Sequence, residues 1–347
     1  MAAAATSGSC DGGGLTVTTD SVSRGFLLGK FMPFHEGHAY LCEVAAGLVD
    51  QLTVLVCTRD CEPIPGHLRF EWVQNSVPSN VRVIHLHRDI PQEPKDHPRF
   101  WDIWRDAIRE CHPEPIHRVF GSESYVHRLA GELGASPFVL DQRREAIPVS
   151  ATSIRENASA NWRYIPVVVR PYYQKRVCVL GAESTGKTEL CKRLSAHFNT
   201  MWVPEFGRTF DAMRRGNADW TEDELIALAG GHTRSREALA KRAGPLYFED
   251  TDLIQTLVWA EYLLGRRPTR LETLLQGWQP ANHYLLMDPG VPWVDDGTRY
   301  DASEETRWWF HRTLKARLES LALGYTEVRS QGWDPRFHEA LSILALP

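Results

Sequence analysis

Two short stretches of this chain carry residue types whose spacing suits phosphate chemistry. In the first, GKFMPFHEGH, Gly29 and Lys30 precede His35 and His38, which stand three residues apart. A zinc clip of the H-E-x-x-H kind needs its histidines four apart on one helix face, and no compact third ligand accompanies this pair. An inert pair at a helix start leaves the preceding glycine and proline unexplained. A polyphosphate accounts for all of them. Gly29 lets the backbone approach a ligand, and a helix beginning near Glu36 and Gly37 offers free N–H groups to an anion. Both imidazoles then fall near one side of the first turn, where they can donate to the oxygens of an α-phosphate as charge develops there. Lys30 adds a cation for departing pyrophosphate. No protein nucleophile is required, because positioning and electrostatics carry such a transfer.

The second stretch, GAESTGKT (181–188), matches G-x-x-x-x-G-K-[ST] in full. The physics is a wrap of backbone N–H groups, from Gly181 through Glu183, Ser184, Thr185 and Gly186, around ATP phosphates at a helix start. Lys187 would reach the β- and γ-phosphates, and the Thr188 hydroxyl would hold Mg²⁺. Phosphoryl transfer also needs an acid at a neighbouring strand end, for the metal or the acceptor hydroxyl. LYFEDTD offers Glu249, Asp250 and Asp252, with Asp250 best placed. A third segment, PVSATSIRE (148–156), has Ser150, Thr152 and Ser153 before a helix start with Arg155 in its first turn. That is another N-terminal anion site, suited to closing over the phosphates held by the histidine loop.

Both glycine loops need a strand before them and a helix after them. GFLLG is a short apolar run, Leu41, Val44, Ala45 and Leu48 recur at helical spacing, and LTVLVC is a second run, which together make a βαβ unit. VRVIHLH, HRVFGS and PFVLD are further strands, and FWDIWRDAIREC is an amphipathic helix. A second unit starts at RVCVLG, continues with a helix from about Lys187 to His197, and has a capping-box spacing at Thr221–Glu224. LYFED and HYLLMD read as buried strands, and two helices close the chain. The fold class is therefore α/β, with two parallel-sheet domains: a Rossmann-like domain over 24–170 and a P-loop kinase or NTPase domain over 171–347. Residues 1–23, small and Gly/Ser-rich, read as a disordered tail.

Bulk properties narrow the function classes. With 347 residues, 43% of them hydrophobic, a net charge of −5 and a mean hydropathy of −0.34, the chain is ordinary globular protein of two-domain length. Its charge argues against coating nucleic acid or an anionic membrane. Seven cysteines without a C-x-x-C pair read as reduced thiols, no apolar run approaches the ~18 residues of a membrane span, and no secretory signal is visible, so a cytoplasmic location is expected.

G-x-F-x-P-x-H-x-G-H with a later S-x-T-x-x-R resembles the nucleotidyltransferase α/β phosphodiesterase superfamily, and GKFMPFHEGH is nearer to nicotinamide-nucleotide adenylyltransferases than to phosphopantetheine adenylyltransferases. With GAESTGKT, PEFGR (204–208), EDTD and PWVDDGTR downstream, residues 24 to 340 resemble the bifunctional NadR family. The resemblance implies an adenylyltransferase joined to a ribosylnicotinamide kinase. One half would phosphorylate nicotinamide riboside with ATP; the other would adenylylate the mononucleotide to give NAD and pyrophosphate. It implies that Gly29, Lys30, Phe31, His35 and His38 bind and activate ATP, with Ser153 and Arg155 on its phosphates. In the kinase half, Lys187, Thr188 and Asp250 would serve ATP and Mg²⁺, while Glu205, Arg208, Asp252, Asp296 and Arg299 would contact the nucleoside. Some members begin with a helix-turn-helix repressor domain; about two dozen residues precede the first strand here, too few for that fold, so no operator binding is expected.

The helical stripe of Phe100, Ile103, Trp104, Ala107 and Ile108 makes Trp104 core and leaves Trp101 as the stacking candidate for a nicotinamide ring. Arg69, after the second strand, is a candidate phosphate contact, and Trp293 a candidate cover for a ring in the kinase half. Two other readings stay open at this point: a coenzyme A synthase, which also joins an adenylyltransferase to a P-loop kinase, and a non-catalytic NAD-sensing regulator. Assembly into a homo-oligomer is left open.

Overall fold

The computed structural model describes residues 22–214, 219–293 and 303–345; Asp296, Arg299 and nearly all of the expected tail lie outside them. The chain divides into two compact units, Met1–Val149 and Ser150–Pro347, so the SATSIR segment belongs with the second.

The first unit alternates strand and helix: β1 (Arg24–Gly29), α1 (Glu36–Gly47), β2 (Gln51–Thr58), α2 (Gly66–Gln74), β3 (Val81–His87), α3 (Phe100–Cys111), β4 (Arg118–Gly121), α4 (Tyr125–Leu133) and β5 (Ser136–Val139). All strand pairs are parallel, in the order β3-β2-β1-β4-β5. β2 is buried along all but its first residue, as a central strand covered on both faces must be. On α3, Phe100, Trp104, Ala107 and Ile108 pack into the core with Phe26 and Leu55, and the Trp104 indole donates to the Pro91 carbonyl at 2.9 Å. The strand order reverses at β1, which lies between β2 and β4. A ligand crevice therefore opens at the carboxyl end of β1, where Gly29 leads into the histidine loop.

The second unit contains α5 (Ala151–Glu156), α6 (Arg170–Tyr173), β6 (Lys175–Gly181), α7 (Lys187–His197), β7 (Trp202–Val203), α8 (Phe206–Met213), α9 (Glu222–Ala240), β8 (Leu246–Asp250), α10 (Leu253–Leu264), α11 (Thr269–Glu272), β9 (His283–Met287), α12 (Glu304–Ser320), β10 (Tyr325–Val328) and α13 (Trp333–Leu344). Its sheet is again all parallel, in the order β10-β9-β6-β8-β7. Side chains of β6 alternate between two cores. Cys178 and Leu180 meet Ile254, Phe310 and Leu314 of α10 and α12, whereas Val177 and Val179 meet Leu190, Leu194 and Ala340 of α7 and α13. The box at Thr221 forms: its hydroxyl accepts from Glu224 N at 3.3 Å, and Glu224 accepts from Thr221 N at 2.9 Å. Two strands escape the sequence reading, β7 and β10, because two and four residues are too few to show a period.

Candidate functional sites

At the end of β1, His35 occupies the N-cap of α1, and its carbonyl accepts from His38 N at 2.8 Å and Ala39 N at 3.0 Å. The two imidazoles stack with centroids 3.7 Å apart and planes 20° from parallel. Phe31 meets the His38 ring edge-on at 5.0 Å, with Phe34 stacked at 6.0 Å on the same histidine. Both Nδ1 atoms are buried and lack a hydrogen-bond partner within the protein. A buried polar atom left so costs stability, so its persistence on two adjacent rings marks a place where a ligand completes the bonding. Burial lowers the pKa of His35 from 6.5 to about 4, aided by the nearby Arg144 guanidinium. His38 is pushed well below 6.5 by burial, then by His35 and Arg144. Both rings are thus neutral at pH 7.

Above pH 6.5 a neutral imidazole adds no pH dependence to folding. As pH falls from 6.5 towards 4, the unfolded chain binds a proton that the folded His35 refuses, so stability is progressively lost, by about 3 kcal/mol once pH 4 is passed. Thermal melts of the wild type should therefore fall more steeply between those pH values than melts of His35→Gln. Equal slopes would show that His35 is not held neutral by burial.

Around this pair the structure redistributes several expected roles. Arg69 is fully buried: it donates to the Lys30 carbonyl at 2.8 Å and pairs with Glu62 at 2.5 Å. It braces the loop from inside and has no exposed surface to offer a phosphate. Lys30 is half exposed, 3.9 Å from Glu62, with its ammonium able to reach a ligand. The space that Gly29 leaves is taken by the Phe31 ring, 3.1 Å from where a Cβ would sit. Phe31 itself is buried at a φ of 49°, which leaves its backbone as the part able to meet a nucleotide. Trp101 is half-buried, edge-on to Phe100, with Arg128 5.8 Å from its ring centroid. Arg144 was missed; the signal available was a basic pair in DQRRE just after a strand. Asp141 holds that turn by accepting from the backbone N–H groups of residues 145 to 147.

In the second unit, Ser150 caps α5. It accepts from Ser153 N at 3.0 Å, while the Ser153 hydroxyl donates to the Ser150 carbonyl at 2.8 Å. The Ser153 hydroxyl proton is thereby committed to the cap. Arg155 donates to Thr152 Oγ1 at 3.1 Å.

The loop after β6 is built as a phosphate wrap. Gly181, Ser184 and Gly186 have φ values of 155°, 62° and 84°, which turn successive N–H groups inward. Gly186 has no room for a side chain, since a Cβ would lie 2.2 Å from the Trp333 ring. Gln255 grips Gly181 through both its backbone groups, at 3.1 and 3.0 Å, and Arg336 donates to the Thr185 carbonyl at 2.7 Å. Lys187 leads α7, with its ammonium 3.0 Å from the Ala182 carbonyl. The Thr188 hydroxyl donates to Asp250 Oδ2, while Asp250 Oδ1 is buried without a partner. Burial first, then Glu205, raises Asp250 to about 6, against the lowering pull of Lys187, Thr188 and Arg208. A buried carboxylate with one free oxygen beside a threonine hydroxyl fits a hard cation.

Beside the loop lies a cavity of about 270 Å³ that joins Lys187, Glu205 and Arg208 to Trp220, Gln255 and Trp259. Glu205 and Arg208 sit 3.2 Å apart on its wall. The aromatic pair and Gln255 went unread because nothing local distinguishes a pocket tryptophan from a core one. Asp252 stands outside this lining. It caps α10 through Ile254 N at 2.9 Å and accepts from the Tyr284 hydroxyl at 2.9 Å, so its position is structural. Glu249 is likewise buried, between Arg176 at 2.8 Å and His232 at 2.9 Å. Trp293 is half-buried at the edge of the described residues.

Fold and sites together define an α/β nucleotidyltransferase joined to a P-loop kinase. A cytidylyltransferase-like family matches residues 26–161, and an AAA domain family matches residues 176–336. The trifunctional NAD biosynthesis/regulator protein NadR of Escherichia coli K12 is 28% identical over 351 residues, covering 95% of this chain and 85% of that protein. The same protein of Salmonella typhimurium LT2 is also 28% identical, covering 92% and 82%. A nicotinamide-nucleotide adenylyltransferase of Methanoculleus marisnigri is 28% identical over 160 residues, 43% of this chain and 89% of its own. Among solved structures, NadR protein in complex with NAD and AMP-PNP superposes with a TM-score of 0.75 at 25% identity, over 93% of this chain and 95% of that one. Over nearly its whole length the chain is similar to NadR proteins.

Proposed function

We propose that this chain makes NAD in two ATP-dependent steps, phosphorylating nicotinamide riboside and then adenylylating the resulting mononucleotide. The observation that carries the reading is the coexistence in one chain of a neutral, ligand-ready histidine pair and a complete P-loop beside a ring-sized pocket. In the first step the riboside sits in the pocket by Glu205 and Arg208, with Trp220 and Trp259 beside its ring. Its hydroxyl oxygen attacks the γ-phosphorus, the bond to the β,γ-bridging oxygen breaks, and ADP leaves. Thr188 and Asp250 would hold Mg²⁺, which supplies charge neutralisation on the phosphates. Lys187 neutralises the same phosphates from the loop side.

In the second step an oxygen of the mononucleotide phosphate attacks the α-phosphorus of ATP and pyrophosphate departs. His35 and His38 donate to the α-phosphate oxygens, and Lys30 faces the leaving group. Neutral imidazoles suit this task, because each keeps one N–H and neither acts as a base. Among the described residues no helix is long and apolar enough to cross a membrane. The decisive experiment is a coupled assay with nicotinamide riboside and MgATP, in which mononucleotide and then NAD should accumulate. Formation of neither, or turnover of phosphopantetheine instead, removes the reading.

A further inference from the structure

A further cavity in the second unit lies apart from the kinase pocket. It is a cleft of about 1030 Å³ at the opposite end of the sheet. Lys175 opens β6, Tyr247 is the second residue of β8, and Asn282 immediately precedes β9; all three line the cleft. The P-loop follows the other end of β6, seven residues away or roughly 20 Å along an extended strand. The two sites are therefore separate, although α9 contributes to both: Leu225, Leu228 and His232 line the kinase pocket, and Ala229, Gly230 and Thr233 line the cleft.

The cleft is strongly cationic. Arg170, Lys175, Arg176, Arg234, Arg236 and Lys241 line it, against Glu237 as the one acidic side chain. Arg176 is neutralised by the buried Glu249, and Arg170 donates to the Ile165 carbonyl at 3.0 Å. Lys175, Arg234, Arg236 and Lys241 form no ion pair among the described residues. Four uncompensated cations converging on one concavity, in a chain whose net charge is −5, are a local feature set against the global balance. Surface cations on a folded domain normally alternate with acids, and crowding like charges costs stability unless an anion joins them.

The rest of the lining says what kind of anion. Tyr172, Tyr247 and Trp278 bring aromatic surface, and Leu253 and Leu274 add an apolar wall. Tyr172 and Leu274 remain 43% and 37% exposed, which is unusual for large apolar groups beside a charged cleft. The volume lies at the upper end of small-molecule sites and far exceeds what inorganic phosphate occupies. Arginine forks for phosphate oxygens next to aromatic shelves form the recognition set for a nucleotide.

We infer that this cleft is a second nucleotide-binding site of the kinase unit, taking a ligand with at least two phosphates and a planar base. Its phosphates lie against Arg234, Arg236, Lys175 and Lys241, and its base against the aromatic wall. Gly230 provides a direct test. It faces open space, with no heavy atom within 4 Å of a built Cβ, so Gly230→Phe can project a ring from the cleft wall. Equilibrium dialysis of the full chain against ADP is expected to count one bound nucleotide per chain more for the wild type than for Gly230→Phe. The charge-reversed double variant Arg234→Glu/Arg236→Glu should lose the same site. Neither change touches the P-loop or the kinase pocket, so phosphoryl transfer by both variants should stay within about twofold of wild type, which serves as the folding control. Equal ADP stoichiometry in the wild type and both folded variants overturns the inference. So does competition at the extra site by a short single-stranded oligonucleotide that binds more tightly than ADP, which would make the cleft a nucleic-acid surface.

Discussion

Replacing Lys187 with alanine should lower the rate of phosphoryl transfer to nicotinamide riboside by roughly 100- to 1,000-fold, the usual cost of losing one preorganised charge at a reacting phosphate. The ammonium stands at the first residue of α7, 3.0 Å from the Ala182 carbonyl, inside a loop whose φ values already aim N–H groups at the same point. Its loss leaves the backbone wrap intact, because Gln255 and Arg336 hold Gly181 and Thr185 independently of it. Binding of ATP should weaken far less than turnover does. Lys187 is also one of the charges that holds Asp250 down against burial and Glu205. Without it the Asp250 carboxyl titrates higher than its present value of about 6. NAD formation from supplied mononucleotide should be unchanged. An undiminished kinase rate in the variant, or a parallel loss of both steps, would refute the assignment of Lys187 to phosphoryl transfer alone.

What the chain discloses without coordinates, and what it withholds, divides by the range of the interactions involved. GAESTGKT was readable because every residue acts locally: the glycines adopt the positive φ values, and the lysine begins the helix it was expected to begin. The Thr221 box and the α3 stripe are local for the same reason. The parallel sheets followed from alternation of apolar runs with helical periods, which leaves right-handed crossovers as the available connection. Roles set by partners distant in space were not readable. Arg69 looked like a helix-start arginine open to ligand, yet its partners are the Lys30 carbonyl and Glu62, and together they remove it from solvent. Asp252 shares a strand end with Asp250, but one points to Thr188 and the other caps α10 against Tyr284. A strand and its following turn expose alternate side chains to different neighbours, and sequence does not say which acid faces the cavity.

The same limit explains the pockets. Trp220 and Trp259 are far apart in the chain and gain meaning by meeting at one cavity. Arg144 reaches the histidine pair from a turn held by Asp141, more than a hundred residues after His35. The cleft below β6 joins the basic end of α9 to Lys175, about sixty residues earlier, a pairing that the sequence does not show. The motif residues were legible; their supporting contacts required the fold.

Substituting His38 by alanine is expected to reduce adenylyl transfer by a factor of roughly 100 to 1,000 while leaving the kinase step untouched. The argument begins with burial. His38 is walled by Phe31 and Phe34 and stacked on His35, an environment that would reject a charge, and its Nδ1 is left without a protein partner. A neutral donor held in this way gains most when negative charge grows on the α-phosphate oxygens, so its removal should lower kcat and kcat/KM together, with little change in KM. Because the pKa values of both histidines lie below 6.5, the free enzyme carries no imidazolium to lose near neutrality. The profile of kcat/KM for the adenylyl step should accordingly show no descending limb attributable to histidine between about pH 6.5 and 8. A cationic pair would behave oppositely, losing rate as pH rose through that window. Alanine at this position also opens a cavity beside Phe31 and Phe34, which by itself destabilises the first unit. His38→Asn separates the two effects: its amide keeps a neutral N–H near the position of Nδ1, so it should recover part of the alanine variant's rate. If alanine and asparagine lose rate equally while both variants bind ATP as wild type does, the histidine contributes shape and not hydrogen bonding. If neither loses rate, the pair is not the site of adenylyl transfer.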